Sequence, residues 1–175
     1  MATTPSQTTS TPSKVAHAFF DALSKNDFDA AVELVDVEAV DDFVAIGEVR
    51  GKPAIRRFFA KLRAAFPDFV MTMDHIIGDR SRAVVQWHAT GTFSGGPFQG
   101  IAPTGKGVDI RGVDVMEIAD GLIRHNTIYY DGATFARQIG LLPRTGSGTD
   151  KAMLSAFNTA TRLRQRFSEH SIGRE

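Results

Sequence analysis

The sequence predicts an α+β domain in which N-terminal helices cover one face of a curved antiparallel sheet, with an extra helix at the C-terminal end. Three observations predict it. Apolar residues before Pro67 recur at helical spacing. From Phe69 onward the period changes to two. The turn pairs Gly78-Asp79 and Asp120-Gly121 then separate alternating runs of hairpin length. Helices first and a meander afterwards is the segregation expected of an α+β fold.

Residues 1–13 are almost entirely Thr, Ser, Pro and Gln and read as a disordered leader, with too little apolar surface to offset the entropy of ordering. Ser13 is a candidate N-cap for a first helix whose stripe is Val15, Ala18, Phe19, Ala22 and Leu23. Asp27 then caps a short second helix carrying Phe28, Ala31, Val32 and Val35. A short strand is expected near Phe43 to Val49. Pro53 opens a third helix buried through Ile55, Phe58, Phe59, Leu62 and Phe66, and Pro67 ends it. Strands follow at about 69–77, 82–93, 108–118 and 122–131. The domain so defined runs from 14 to 143, with a Gly/Ser/Thr linker at 144–150 and an amphipathic helix and tail at 151–175.

Composition narrows the function. The chain has 175 residues, 20 Lys plus Arg against 20 Asp plus Glu, and no cysteine. A zero net charge gives no overall field to hold a polyanion, which argues against nucleic acid or an acidic membrane surface as partner. Without cysteine there is no thiol nucleophile and no Cys-ligated zinc. The five histidines have no metal-ligand spacing, so no metal is expected. No phosphate loop, Gly-x-Ser-x-Gly elbow or dinucleotide fingerprint occurs, and Pro103-Thr104-Gly105-Lys106 is too short for a phosphate loop. No cofactor is expected on these grounds. With neither a signal peptide nor an apolar span, a cytoplasmic protein with a small-molecule partner is the expectation.

Alternation divides each strand into two faces, which exposes polar residues on apolar faces. His75 shares a face with Phe69, Met71, Met73 and Ile77, and Asp114 shares one with Val108, Ile110, Met116 and Ile118. Trp87 lies on the apolar face of its strand, which places His88 on the opposite, peripheral one. The fourth strand is polar on both sides: Ile123, His125, Thr127, Tyr129 and Asp131 on one, Asn126, Ile128 and Tyr130 on the other. Singly, His75 reads as a satisfied core histidine, and Asp114 as the cap of a neighbouring turn or a partner of Arg111 or Arg124 across the hairpin. Together they describe a polar pocket. With Asp120-Gly121 at the hairpin centre, Asp114 falls opposite the region of Arg124 to Thr127, so Asp114 and His125 can meet. A carboxylate orienting an imidazole, with a second carboxylate at Asp131, is a workable proton-transfer device.

The runs Ala65-Phe66-Pro67-Asp68, Gly91-Thr92-Phe93, Gly100 to Lys106, Ile118 to Ile123, Asp131, and Arg137 to Pro143 together resemble the SnoaL-like polyketide cyclases and predicted ester cyclases. The resemblance spans about 14–143. It implies a cone-shaped α+β half-barrel of the nuclear transport factor 2-like superfamily, usually a homodimer, with a deep apolar cavity and no cofactor. It also implies intramolecular aldol closure of a polyketide-like molecule, driven by a cavity aspartate that takes a carbon-bound proton and returns it to the new hydroxyl. Asp131 best matches that aspartate, with Asp114 its rival. His125 would orient substrate or share the proton, and Trp87 and Tyr129 would line or close the cavity. Phe93 stands where many relatives carry histidine. A non-catalytic small-molecule binder, an isomerase and an epoxide hydrolase are the alternatives on the same fold.

Overall fold

A computed structural model describes residues 11–172, with side-chain surroundings for 11–165. Residues 1–10 of the expected leader, and the side chain of Phe167 in the expected C-terminal stripe, lie outside the described residues.

Two helices come first. α1 (Pro12–Ser24) begins one residue before the expected cap: Thr11 is the N-cap, and Pro12 sits in the first turn, where its missing N–H is harmless. Its buried face keeps Val15, Phe19, Ala22 and Leu23 of the predicted stripe and adds Pro12, Ala16 and Phe20, while Ala18 is exposed because it falls on the solvent side of the helix. Asp27 caps α2 (Phe28–Glu33) as expected, its carboxylate accepting from Ala30 N–H at 3.0 Å.

The chain then departs from the prediction. Val35 begins β1 (Val35–Phe43) rather than ending a helix, and residues 44–46 form a turn into β2 (Gly47–Arg50). The one short strand expected at 43–49 is therefore the end of β1, a three-residue turn and most of β2. β1 was hidden because its sequence, VDVEAVDDF, carries four acidic residues in nine and loses its alternation at exposed Val37 and Glu38.

α3 (Lys52–Ala65) follows with Pro53 in its first turn, Ile55 and Phe59 buried, and Pro67 just beyond its end. β3 (Val70–Gly78), β4 (Arg82–Thr92), β5 (Gly107–Ala119) and β6 (Leu122–Tyr130) form the predicted meander. α4 (Gly132–Gln138) was not foreseen. α5 (Gly148–Ile172) starts inside the expected linker, with Asp150 in its first turn accepting from Gly146 N–H at 2.8 Å.

The strands make one curved, unclosed six-stranded sheet in the order β2-β1-β6-β5-β4-β3. It is mixed, not purely antiparallel, because β1 runs parallel to β6. α1 crosses β3, β4 and β5, and α3 packs on β1 and β2, so the helices close over one face. Between them lies a core rich in phenylalanine: Phe19, Phe20, Phe28, Phe59, Phe66, Phe69 and Phe93 are all buried. Among the described residues no helix is long and apolar enough to cross a membrane.

Candidate active site

A cavity of about 90 Å³ opens between the sheet, α1 and α3. Its walls are almost wholly apolar, with Leu23, Phe43, Phe58, Phe69, Met71 and Phe135 among them. On the same scale a single water needs about 10–15 Å³, so the cavity has room for more than one water or for a small apolar group.

Strand register brings the polar groups together. Trp87 pairs with Gly112 and Val85 with Asp114 across β4–β5, while Asp114 pairs with Ile128 and Met116 with Asn126 across β5–β6. Asp114 is thus diagonal to both Trp87 and Asn126, within side-chain reach. Trp87 Nε1–H donates to Asp114 Oδ1 at 2.7 Å and Asn126 Nδ2–H to Oδ2 at 2.8 Å. The parallel pairing of β1 with β6 sets Asp41 beside Asn126. Asp41, Asp114 and Asn126 are all buried and all line the cavity.

Gly112 is what lets the indole lie across β5. A side chain there would overlap the six-membered ring of Trp87 and come within 2.6 Å of the Tyr129 carbonyl oxygen.

The two carboxyls are held differently. Burial raises Asp114 to about 6, against the two donors that favour its charged form. Burial first, and then the charge of Asp114, push Asp41 up to about 8. No hydrogen bond reaches the Asp41 carboxyl from the described residues, and Asn126 Oδ1 is buried without a partner. At neutral pH the site therefore holds a carboxylate at Asp114 and a neutral acid at Asp41. Burial also raises the Tyr130 hydroxyl, which lines the same cavity.

The Asp41 shift has a measurable consequence for stability. Its folded-state value lies above the unfolded one, so its contribution is fully present below about 4 and is lost as pH rises through about 8. Relative to wild type, Asp41→Asn should gain stability from pH 6 to 8, approaching about 1.4 kcal/mol per pH unit. Urea unfolding at stepped pH measures this, and an unchanged difference across that window would show that Asp41 ionises normally.

Of the residues expected from sequence, Trp87 and Asp114 line the cavity, and the partners of Asp114 are Trp87 and Asn126 rather than an arginine. His125 does not meet Asp114. The β5–β6 pairing shifts register around Arg124, so His125 falls opposite Glu117 on the outer face and Asn126 turns inward. His75 is exposed for the same reason: a register shift around Asp74 sends Ile76 inward in place of Ile77. Tyr129 points outward at 50% exposure, and its neighbour Tyr130 faces the cavity. Phe93 is buried behind the cavity wall, stacked on Phe66 with ring centroids 5.0 Å apart. His88 is peripheral as expected, Nδ1 lying 2.8 Å from Asp74 Oδ1.

Asp131 is not in the cavity. It is the N-cap of α4, accepting from Thr134 N–H at 3.0 Å and Thr134 Oγ1–H at 2.6 Å, and these donors hold its carboxyl below the usual range. Asp131→Ala should cost about 1 kcal/mol of stability and leave cavity chemistry unchanged, checked by thermal unfolding and activity together.

Sequence reasoning missed Asp41, Asn126 and Tyr130. The signal for Asp41 was the alternation Ala39, Asp41, Phe43, the same pattern that revealed Asp114. Among the described residues, no group of three or more His, Cys, Asp or Glu is placed to hold a metal ion.

A family model described as SnoaL-like polyketide cyclase matches residues 13–139. No curated protein matches the chain. Among solved structures, a proposed SnoaL-like polyketide cyclase from Jannaschia sp. CCS1 is 23% identical, with TM-score 0.67 over 82% of this chain and 99% of its own. IdmH, a proposed polyketide cyclase from Streptomyces antibioticus, is 23% identical, with TM-score 0.61 over 74% of this chain and 98% of its own. A hypothetical protein with a ketosteroid isomerase-like fold from Catenulispora acidiphila is 17% identical, with TM-score 0.61 over 75% of this chain and 95% of its own. These likenesses show the fold.

Proposed function

The chain belongs to the SnoaL-like polyketide cyclase family, and from that premise we propose that it closes a ring in a small polyketide-like molecule by an intramolecular aldol reaction, with Asp114 as base and Asp41 as acid. The observation that carries this reading is the unequal carboxyl pair in an apolar cavity: Asp114 bonded on both oxygens, Asp41 buried with no internal partner. One carboxyl kept neutral so that it can donate, beside another that stays ionised, is an established way to run acid and base chemistry at one pH.

Asp114 takes a proton from a carbon flanked by two carbonyls. The electron pair of that C–H bond moves onto a carbonyl oxygen, giving an enolate. The Asp41 hydroxyl donates a hydrogen bond to this oxygen and stabilises its charge, more strongly in a dry cavity than in water. The enolate carbon attacks a second carbonyl of the same molecule, forming the new C–C bond. The resulting alkoxide takes the proton back from Asp114, which regenerates the carboxylate. The phenylalanine walls exclude water and hold the chain folded for attack.

The test is a cyclic or linear β-dicarbonyl ester in deuterium oxide, followed by NMR. Deuterium should enter the carbon between the carbonyls faster than in buffer alone. Binding of such esters in the cavity without any accelerated exchange would assign the domain to small-molecule binding and overturn the acid-base reading.

A further inference from the structure

We propose that the chain carries a second binding site, for a phosphate-class oxyanion, in the groove between the loop before β5, the end of α4 and the segment leading to α5. Lys106, Arg137 and Arg144 line this groove with the hydroxyls of Thr145, Ser147 and Thr149, and no acidic side chain lines it. The chain is neutral overall, so three cations converging on one groove make a local field rather than reflect a global one.

None of the three is in ion-pair contact with a carboxylate, although Arg137 lies within electrostatic reach of Asp131. Arg50, Lys52, Arg56, Arg82 and Arg124 each face a carboxylate. Among the described residues Lys106, Arg137 and Arg144 make neither an ion pair nor a side-chain hydrogen bond with the protein. Arg137 goes further, because its Nε is buried with no acceptor. A buried donor left unsatisfied is unfavourable, so this atom calls for an acceptor that the protein itself does not supply.

Backbone conformation seats the lysine. Gly140 has φ +84°, in the left-handed region that favours glycine, and the Lys106 ammonium lies where a side chain at Gly140 would project. Two guanidinium forks and one ammonium suit a tetrahedral oxyanion of charge near two, with the neighbouring hydroxyls as further donors.

The groove is separate from the cavity. α4 contributes Phe135 to the cavity and Arg137 to the groove, so the two sites lie against different sides of one helix. Lys106 and Arg137 lie inside the family match, while Arg144, Thr145, Ser147 and Thr149 follow its end at residue 139, so the groove joins matched residues to the segment beyond them.

The experiment measures the unfolding midpoint of the full chain against inorganic phosphate, phenyl phosphate, and sodium chloride at matched ionic strength. Both phosphates should raise the midpoint well beyond chloride. Tighter binding of phenyl phosphate assigns an organic phosphomonoester as the ligand, and equal binding assigns the free anion. Lys106→Met, Arg144→Met and Gly140→Ala should each weaken phosphate binding at least tenfold. Lys106 and Arg144 are exposed, so their variants keep the fold. Stabilisation no greater than with chloride, or wild-type phosphate affinity in both methionine variants, overturns the proposal.

Discussion

Asp114→Asn should lower deuterium exchange and ring closure by about 10²- to 10⁴-fold, the range a positioned acid-base group supplies. The fold should survive. The new amide keeps the shape of the carboxylate, its oxygen still accepts from Trp87, and Asn126 can turn its unpartnered Oδ1 towards the new amide N–H. What disappears is the group that accepts the carbon-bound proton. A second effect separates this explanation from simple misfolding. Because the Asp114 charge helps to raise Asp41, removing it should bring Asp41 back towards its ordinary value, visible by carbon-13 NMR of the carboxyl. Wild-type exchange in Asp114→Asn would remove Asp114 from the mechanism, whatever happened to Asp41.

That two of the cavity's polar residues could be read from sequence, and the others could not, has a physical cause. Trp87 and Asp114 sit on β4 and β5, whose mutual pairing runs without a shift from Arg82 to Thr92. There the alternation of side chains holds and a polar residue on an apolar face stands out. His75 and His125 lie on β3 and β6 just past register shifts, and one extra residue exchanges the faces of everything beyond it. The exchange near Arg124 removed His125 from the site and put Asn126 in it. Nothing local marks such a shift, because neither Asp74 nor Arg124 is a glycine or proline. Asp41 was lost for a different reason. Its strand pairs in parallel with β6, a long-range partner, and its four acidic residues resemble a solvated loop until one of them is seen to face a core.

Helix positions were easier, since α1, α2 and α3 each combine an apolar stripe with a proline or an aspartate cap. α4 is only seven residues long and none of them is buried, which leaves too little periodicity to detect. Its start was visible only as Asp131, and an aspartate at the end of a strand has two readings, base or cap. In the structure both carboxylate oxygens accept from Thr134, the geometry of a cap.

Gly112→Ala should be strongly disruptive, because a single added methyl strikes both a ring and a backbone carbonyl. The new carbon would overlap the Trp87 ring and approach the Tyr129 carbonyl oxygen at 2.6 Å, so the buried indole can yield only by moving into the cavity it lines. Overpacking of this kind costs about 1–3 kcal/mol and sometimes more, read as a lowered urea midpoint. The chemical effect follows from the same displacement. If the indole shifts, its N–H no longer meets Asp114, and the carboxylate loses one of the two donors that hold its value down. The acid limb of the pH–rate profile, set near 6 in the wild type, should move upward. Trp87→Phe tests the two effects apart, since it removes the donor without adding a methyl: it should move the limb in the same direction while leaving β4 and β5 paired. A Gly112→Ala protein with wild-type stability and an unmoved limb would mean that the indole does not lie across β5 in solution.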